Sequence, residues 1–191
     1  MVKKIRAFIA IELPAAARLA LAQASQQLAR QLPAGSVRWV KPERMHLTLR
    51  FLGDTAVTQL PALAAQLDEL AARHAPFNLR LDKLGCFPHC KRPRVIWAGL
   101  TGNVAALSTL KQDLDARLVS LGWEEEERPF QAHLTLGRVK NSRAVSQVKW
   151  GIEMEKAEMG VTAVHLIESQ LQRSGPIYTI RHTSHLSAQS A

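Results

Sequence analysis

Cysteine is scarce in this chain. Cys86 and Cys90 are the only two, both within "GCFPHCKRP". Two thiols cannot form a framework of several bridges, so a disulfide-stapled secreted scaffold is excluded. His89 between them invites a metal reading, but no second Cys/His pair follows at zinc-site spacing, and two unpaired thiols are expected. Long apolar runs are also missing. The stretch "MVKKIRAFIAIELPAAARLALAQ" imitates a secretory leader, with Lys3, Lys4 and Arg6 ahead of apolar residues, until Glu12, Pro14 and Arg18 interrupt it. No stretch approaches the roughly 18 apolar residues that span a bilayer, so a cytoplasmic protein with no membrane partner is expected. Acidic residues fall short as well: 16 Asp+Glu against 25 Lys+Arg leave a formal net charge of +9. That surplus suits a polyanionic partner, nucleic acid or a phosphorylated small molecule.

Apolar residues make up 47% of the chain, enough for a folded interior. Arg6 to Glu12 reads as a strand, with Ile9 and Ile11 on one face and Phe8 and Ala10 on the other. Pro14 opens a helix in which Ala17, Leu21, Ala24 and Leu28 share a side, until Pro33-Ala-Gly35 stops it. Strands are predicted at Val37 to Val40 and Met45 to Leu52, a helix at Leu60 to His74, then strands at Phe77 to Leu84 and Arg94 to Leu100. Leu107, Leu110, Leu114, Leu118 and Leu121 stripe a third helix that Gly122 ends. The acidic run Glu124 to Glu127 is expected as a solvated turn, followed by a strand through His133. A basic linker then passes Lys140 and Arg143 to strands near Val161 to Gln172 and Ile177 to Leu186. Strands and helices alternate in each half with no long linker between. The expectation is an α+β protein, one domain over residues 1–191 with two similar lobes.

The tetrapeptide His-Leu-Thr-Leu occurs twice, at His46 to Leu49 and at His133 to Leu136. Pro42 precedes the first histidine by four residues, and Pro129 precedes the second by the same step. In a strand, successive side chains point to opposite faces. His46 and Thr48 therefore share a face while Leu47 and Leu49 anchor the other, and His133 and Thr135 repeat the arrangement. A single His-x-Thr strand is ordinary; two copies at equal offsets in a repeated rhythm are not. Two imidazoles on one anion can divide labour as base and acid near neutral pH. Two hydroxyls can hold non-bridging oxygens. An anion with an attacking and a leaving oxygen on opposite sides is a phosphodiester, so the parts suit metal-free, cofactor-free acid–base phosphodiester hydrolysis.

The twin "HLTL" resembles the His-x-Ser/Thr-x pair of the 2H phosphoesterase superfamily. The blocks "RAFIAIELP", "RWVKPERMHLTLRFLGD", "GCFPHCKRPRVIWAGL", "RPFQAHLTLGRV" and "SQLQRSGPIYTI" resemble its bacterial RNA 2′,3′-cyclic phosphodiesterase branch, the LigT-like or 2′-5′ RNA ligase family. The resemblance covers most of the chain. It implies a bilobal α+β fold, two pseudo-symmetric lobes of antiparallel sheet plus helices around a central V-shaped cleft. It further implies hydrolysis of 2′,3′-cyclic phosphate ends of RNA or nucleotides, tRNA fragments among them, to 2′-phosphates by a monomeric enzyme. A reversible, ATP-independent 2′-5′ ligation would be a side activity. Carried over, His46 and His133 are the catalytic pair, with His133 as base and His46 as acid by analogy. Thr48 and Thr135 orient the phosphate, and Arg138 is a further substrate-binding residue.

Strict alternation points Arg138 away from His133 and Thr135, so that role needs a twist or a bulge. Arg50 does share the parity of His46 and Thr48, with solvated surface as its other reading. Phe8, Trp39 and Trp97 are candidate walls for a base, with buried packing the alternative; the role of Tyr178 is open. His74, His89, His165, His182 and His185 are expected to be structural, and Lys91, Arg92 and Arg94 form a basic cluster suited to an RNA backbone. Other readings are a phosphodiesterase acting on a small cyclic phosphate or a 2′-5′ oligoadenylate, and a non-catalytic RNA-binding module.

Overall fold

The computed structural model of the chain describes residues 2–145, 148, 150, 154–173 and 175–188. Its elements in order are β1 (Lys4–Glu12), α1 (Ala15–Arg30), β2 (Val37–Trp39), β3 (His46–Ala56), α2 (Leu60–Ala72), β4 (Phe77–Phe87), β5 (Val95–Gly102), α3 (Val104–Ser120), β6 (His133–Val139), α4 (Ser142–Val145), β7 (Glu158–Val161), β8 (Ala163–Gln170) and β9 (Ile177–His185). A four-stranded sheet runs β3-β1-β8-β9, and a five-stranded sheet runs β2-β6-β5-β4-β7. Their strand pairs are antiparallel, so the α+β class holds.

Periodicity explains the elements. β1 alternates, with Ala7, Ile9 and Ile11 in the large buried cluster and Phe8 and Ala10 in a smaller one on the opposite face. α1 places Ala17, Leu21, Ala24 and Leu28 in the large cluster, and α3 places Leu107, Leu110, Leu114 and Leu118 there. Asn103 caps α3 by accepting a hydrogen bond from the Ala106 amide at 3.1 Å. Gly122, at φ +95°, ends it: the Trp123 amide donates to the Leu118 carbonyl at 3.0 Å and the Gly122 amide to the Val119 carbonyl at 2.9 Å.

The structure departs from the sequence reading at several points. β3 runs on to Ala56, and the strand expected from Val161 begins earlier as the separate β7. The stretch through Arg143 includes the short α4. The acidic run Glu124 to Glu127 is not merely solvated. Glu126 pairs with Arg50 at 3.4 Å and with Lys111 at 3.0 Å, and the Glu124 carbonyl accepts from Arg50. Cys86 and Cys90 are joined as a disulfide, against the expectation of free thiols. The turn after β4 brings their α-carbons to 5.1 Å, inside the bridging range.

Two bulges position the functional strands. In the β1–β3 ladder, Ala10 pairs with Thr48 and Ile9 with Arg50, so β3 carries an extra residue at Leu49. In the β5–β6 ladder, Trp97 pairs with Thr135 and Ile96 with Gly137, so β6 carries one at Leu136. An extra residue breaks the period of two, and every side chain beyond it changes face.

Candidate active site

Each motif histidine begins a motif strand, and each is oriented in the same way. His46 Nδ1–H donates to the Arg44 carbonyl at 3.0 Å, and His133 Nδ1–H donates to the Gln131 carbonyl at 2.7 Å. A carbonyl only accepts, so the bond fixes the proton on Nδ1 and leaves Nε2 of the neutral ring as the nitrogen with a free lone pair. The chain turns sharply to allow this: a 3-10 turn at Pro42–Arg44 precedes β3. Thr48 and Thr135 follow two residues on, half-buried, while Leu47, Leu49, Leu134 and Leu136 are core.

Aromatic rings flank both imidazoles, two at His46 and one at His133. His46 stacks on Phe8 at 4.7 Å, and Tyr178 meets it edge-on at 5.2 Å. His133 meets Phe87 edge-on at 5.0 Å, and Phe87 in turn lies 5.0 Å from Trp97. Trp97 lies across β4: a Cβ at Gly85 would overlap its indole, so glycine there leaves room for the ring. Burial lowers His46 to about 4; its bond to the Arg44 carbonyl opposes the shift, and the Arg18 charge adds to it. His46 is therefore neutral at pH 7 in the unliganded protein. Burial also raises the Tyr178 phenol against the pull of Arg44, Arg138 and Arg6, so it stays a hydroxyl. Tyr178 thus lies with its ring on His46 and its phenol within the electrostatic reach of Arg138 on the His133 strand.

The bulges exchange the two arginines. Thr135 faces Trp97 and Arg138 faces Val95, two residues apart on β5, so Arg138 lies on the His133 and Thr135 face. Of the twist or bulge that its parity demands, it is a bulge that is present. Arg50 moves the other way. It pairs with core-facing Ile9 and is 6% exposed, ion-paired to Asp115 at 3.5 Å and to Glu126 at 3.4 Å. Its place on the His46 face passes to Phe51, which pairs with Phe8, lies 6.1 Å from that ring and is 62% exposed. Phe51 and Arg138 stand at the same offset from their histidines, which makes them counterparts. Continuing the comparison of the two repeats to that position is the signal that would have found Phe51.

Of the candidate walls, Phe8 is buried under His46, Trp39 packs on the large core cluster, and Trp97 is half-buried on Gly85. Four of the other five histidines bond to groups other than the motif residues: His74 to Asp113, His182 to Asp68, His165 to Thr183, and His89 Nδ1 accepts from the Arg92 amide. A surface hollow of about 340 Å³ beside α3 is lined by Lys111, Asp115, Glu126 and Phe130. Its lysine is already ion-paired and its other charges include carboxylates, so it suits an anion poorly.

Two antiparallel sheets that each present a His-x-Thr pair define a two-histidine phosphoesterase. The chain matches the LigT like Phosphoesterase family over residues 11–97 and 100–178 and belongs to it. It is 33% identical over 180 residues to the RNA 2′,3′-cyclic phosphodiesterase of Methanothermobacter thermautotrophicus, covering 92% of this chain and 96% of that one. TT0787 of Thermus thermophilus shares the fold with a TM-score of 0.81 at 32% identity, over 95% of this chain and 98% of that one. E. coli LigT, solved in complex with 3′-AMP, matches with a TM-score of 0.79 at 28% identity, over 97% of this chain and all (100%) of that one.

Proposed function

We propose that the protein hydrolyses 2′,3′-cyclic phosphate ends of RNA to 2′-phosphates by acid–base catalysis, its two lobes acting as one domain because each carries one histidine. The observation behind this reading is the matched pair of imidazoles, each with Nδ1–H tied to a backbone carbonyl two residues earlier and Nε2 left to react. His133 Nε2 takes the proton of a water that attacks phosphorus. The bond from phosphorus to the 3′ oxygen breaks, and that oxygen takes the Nε2 proton of His46. Thr48, Thr135 and Arg138 hold the non-bridging oxygens, where charge builds. The relatives named for this activity and the 3′-AMP complex of E. coli LigT support the substrate class.

Neutral His46 must gain a proton before it can act as the acid. With its pKa near 4, protonation at pH 7 costs about 4 kcal/mol. A phosphate monoanion at about 4 Å returns about 4 kcal/mol at an effective dielectric near 20. Substrate and proton therefore arrive together, and the acid is armed only when the anion is bound. Run backwards with a 5′-hydroxyl in place of water, the same groups would join a 2′-5′ linkage.

The test is product analysis with a 2′,3′-cyclic nucleotide. A 2′-phosphate is expected, with His46→Ala and His133→Ala each losing activity while circular dichroism stays unchanged. Thr48→Ala and Thr135→Ala should cost less, about 10- to 1,000-fold. A diester with a nitrophenolate leaving group needs no acid, so it should rescue His46→Ala and not His133→Ala. Full activity in either histidine variant would sink the scheme.

A further inference from the structure

A second guanidinium stands beside Arg138, and the chemistry of the cyclic phosphate does not use it. β2 is the edge strand of the five-stranded sheet, and Arg38 at its centre pairs directly with Arg138 of β6. Directly opposed residues of an antiparallel pair project from the same face. Arg38 therefore lies on the face that carries His133, Thr135 and Arg138, one strand further out. Its neighbours on β2 point the other way: Val37 is buried and Trp39 packs on the core. Both arginines are exposed, and among the described residues neither has an acidic partner. Like charges set opposite each other destabilise a ladder, a cost that an anion held between them offsets.

A 2′,3′-cyclic phosphate carries one negative charge and already has Arg138 and two threonine hydroxyls. The next anion in an RNA substrate is the phosphodiester on the 5′ side of the terminal nucleotide. One strand spacing, about 4.8 Å, plus the reach of two arginine side chains, carries from the first phosphate to that one. We propose that Arg38 binds this upstream phosphodiester and makes the enzyme prefer polynucleotide ends over cyclic mononucleotides. The proposal rests on the cyclic phosphodiesterase reading, and it names the residue that would tell RNA from a free nucleotide.

The experiment compares a dinucleotide and a mononucleotide, each ending in a 2′,3′-cyclic phosphate. The wild type should favour the dinucleotide about tenfold or more in kcat/KM. Arg38→Gln should erase that preference through KM, with the mononucleotide rate changed less than threefold, and Arg38→Lys should keep part of it. No preference in the wild type, a preference that survives in Arg38→Gln, or an equal loss on both substrates would each overturn the proposal; equal loss would place Arg38 on the cyclic phosphate itself. A binding arm separates this from the catalytic reading. A 3′-phosphorylated dinucleotide should bind the wild type more tightly than the 3′-phosphorylated mononucleotide, even if neither cyclic substrate is turned over. In Arg38→Gln the two affinities should converge, and the dinucleotide's salt slope should fall by about 0.7. Equal affinities in the wild type would overturn the subsite whatever the catalytic result.

Discussion

His46 shows what one side chain owes to its surroundings. A solvated imidazole titrates near 6.5, and this one, enclosed by Phe8 and Tyr178, titrates near 4. The consequence extends to stability. Between those two values the unfolded chain holds a proton on His46 that the folded chain refuses, so acid favours unfolding. Stability should fall as pH drops from about 6.5 towards 4, with about 2 kcal/mol lost by pH 5 through this residue. Burial lowers His165 too, and it acts in the same direction. Urea unfolding at pH 5 and pH 7.5, compared between wild type and His46→Gln, isolates the His46 part. An equal pH dependence in both proteins would mean that the ring is more solvated than its neighbours suggest.

At the level of the element, the two bulges matter most. They send Arg50 into the interior and bring Arg138 onto the face of His133 and Thr135, reversing what strict alternation assigns to each. Inside, Arg50 joins Lys111, Asp115 and Glu126 in a cluster that anchors the segment leading to His133. Arg50→Met leaves two partly exposed carboxylates with one buried lysine and should cost about 1 to 2 kcal/mol in urea unfolding. KM for a cyclic phosphate should stay near the wild-type value in that variant, because the side chain lies on the far face of β3. A large rise in KM with stability intact would return Arg50 to the cleft. The Cys86–Cys90 bridge closes the turn that carries Phe87, the ring against His133.

For the whole molecule, the catalytic groups proposed are side chains drawn from both sheets, with Tyr178 touching His46 and sensing Arg138. Hydrolysis should accordingly continue undiminished in a chelator, and strict dependence on an added divalent ion would remove the acid–base scheme. No helix among the described residues is long and apolar enough to cross a membrane.

Much of this architecture is legible in the chain itself. The strand and helix periods place nearly every element, because burial of one face repeats at two or 3.6 residues whatever the partner. The doubled His-Leu-Thr-Leu names the four residues proposed for the site, since chemistry that works on both sides of a phosphorus atom needs its parts twice. Tertiary structure decided the rest. A bulge is a mismatch between two strands, so neither strand's own sequence announces that Arg138 joins the His133 face, Arg50 turns into the interior and Phe51 takes its place. Arg38 belongs to no motif of the sequence, and only the register sets it opposite Arg138. The low pKa of His46 comes from rings on β1 and β9, distant in sequence and adjacent only once the sheet forms.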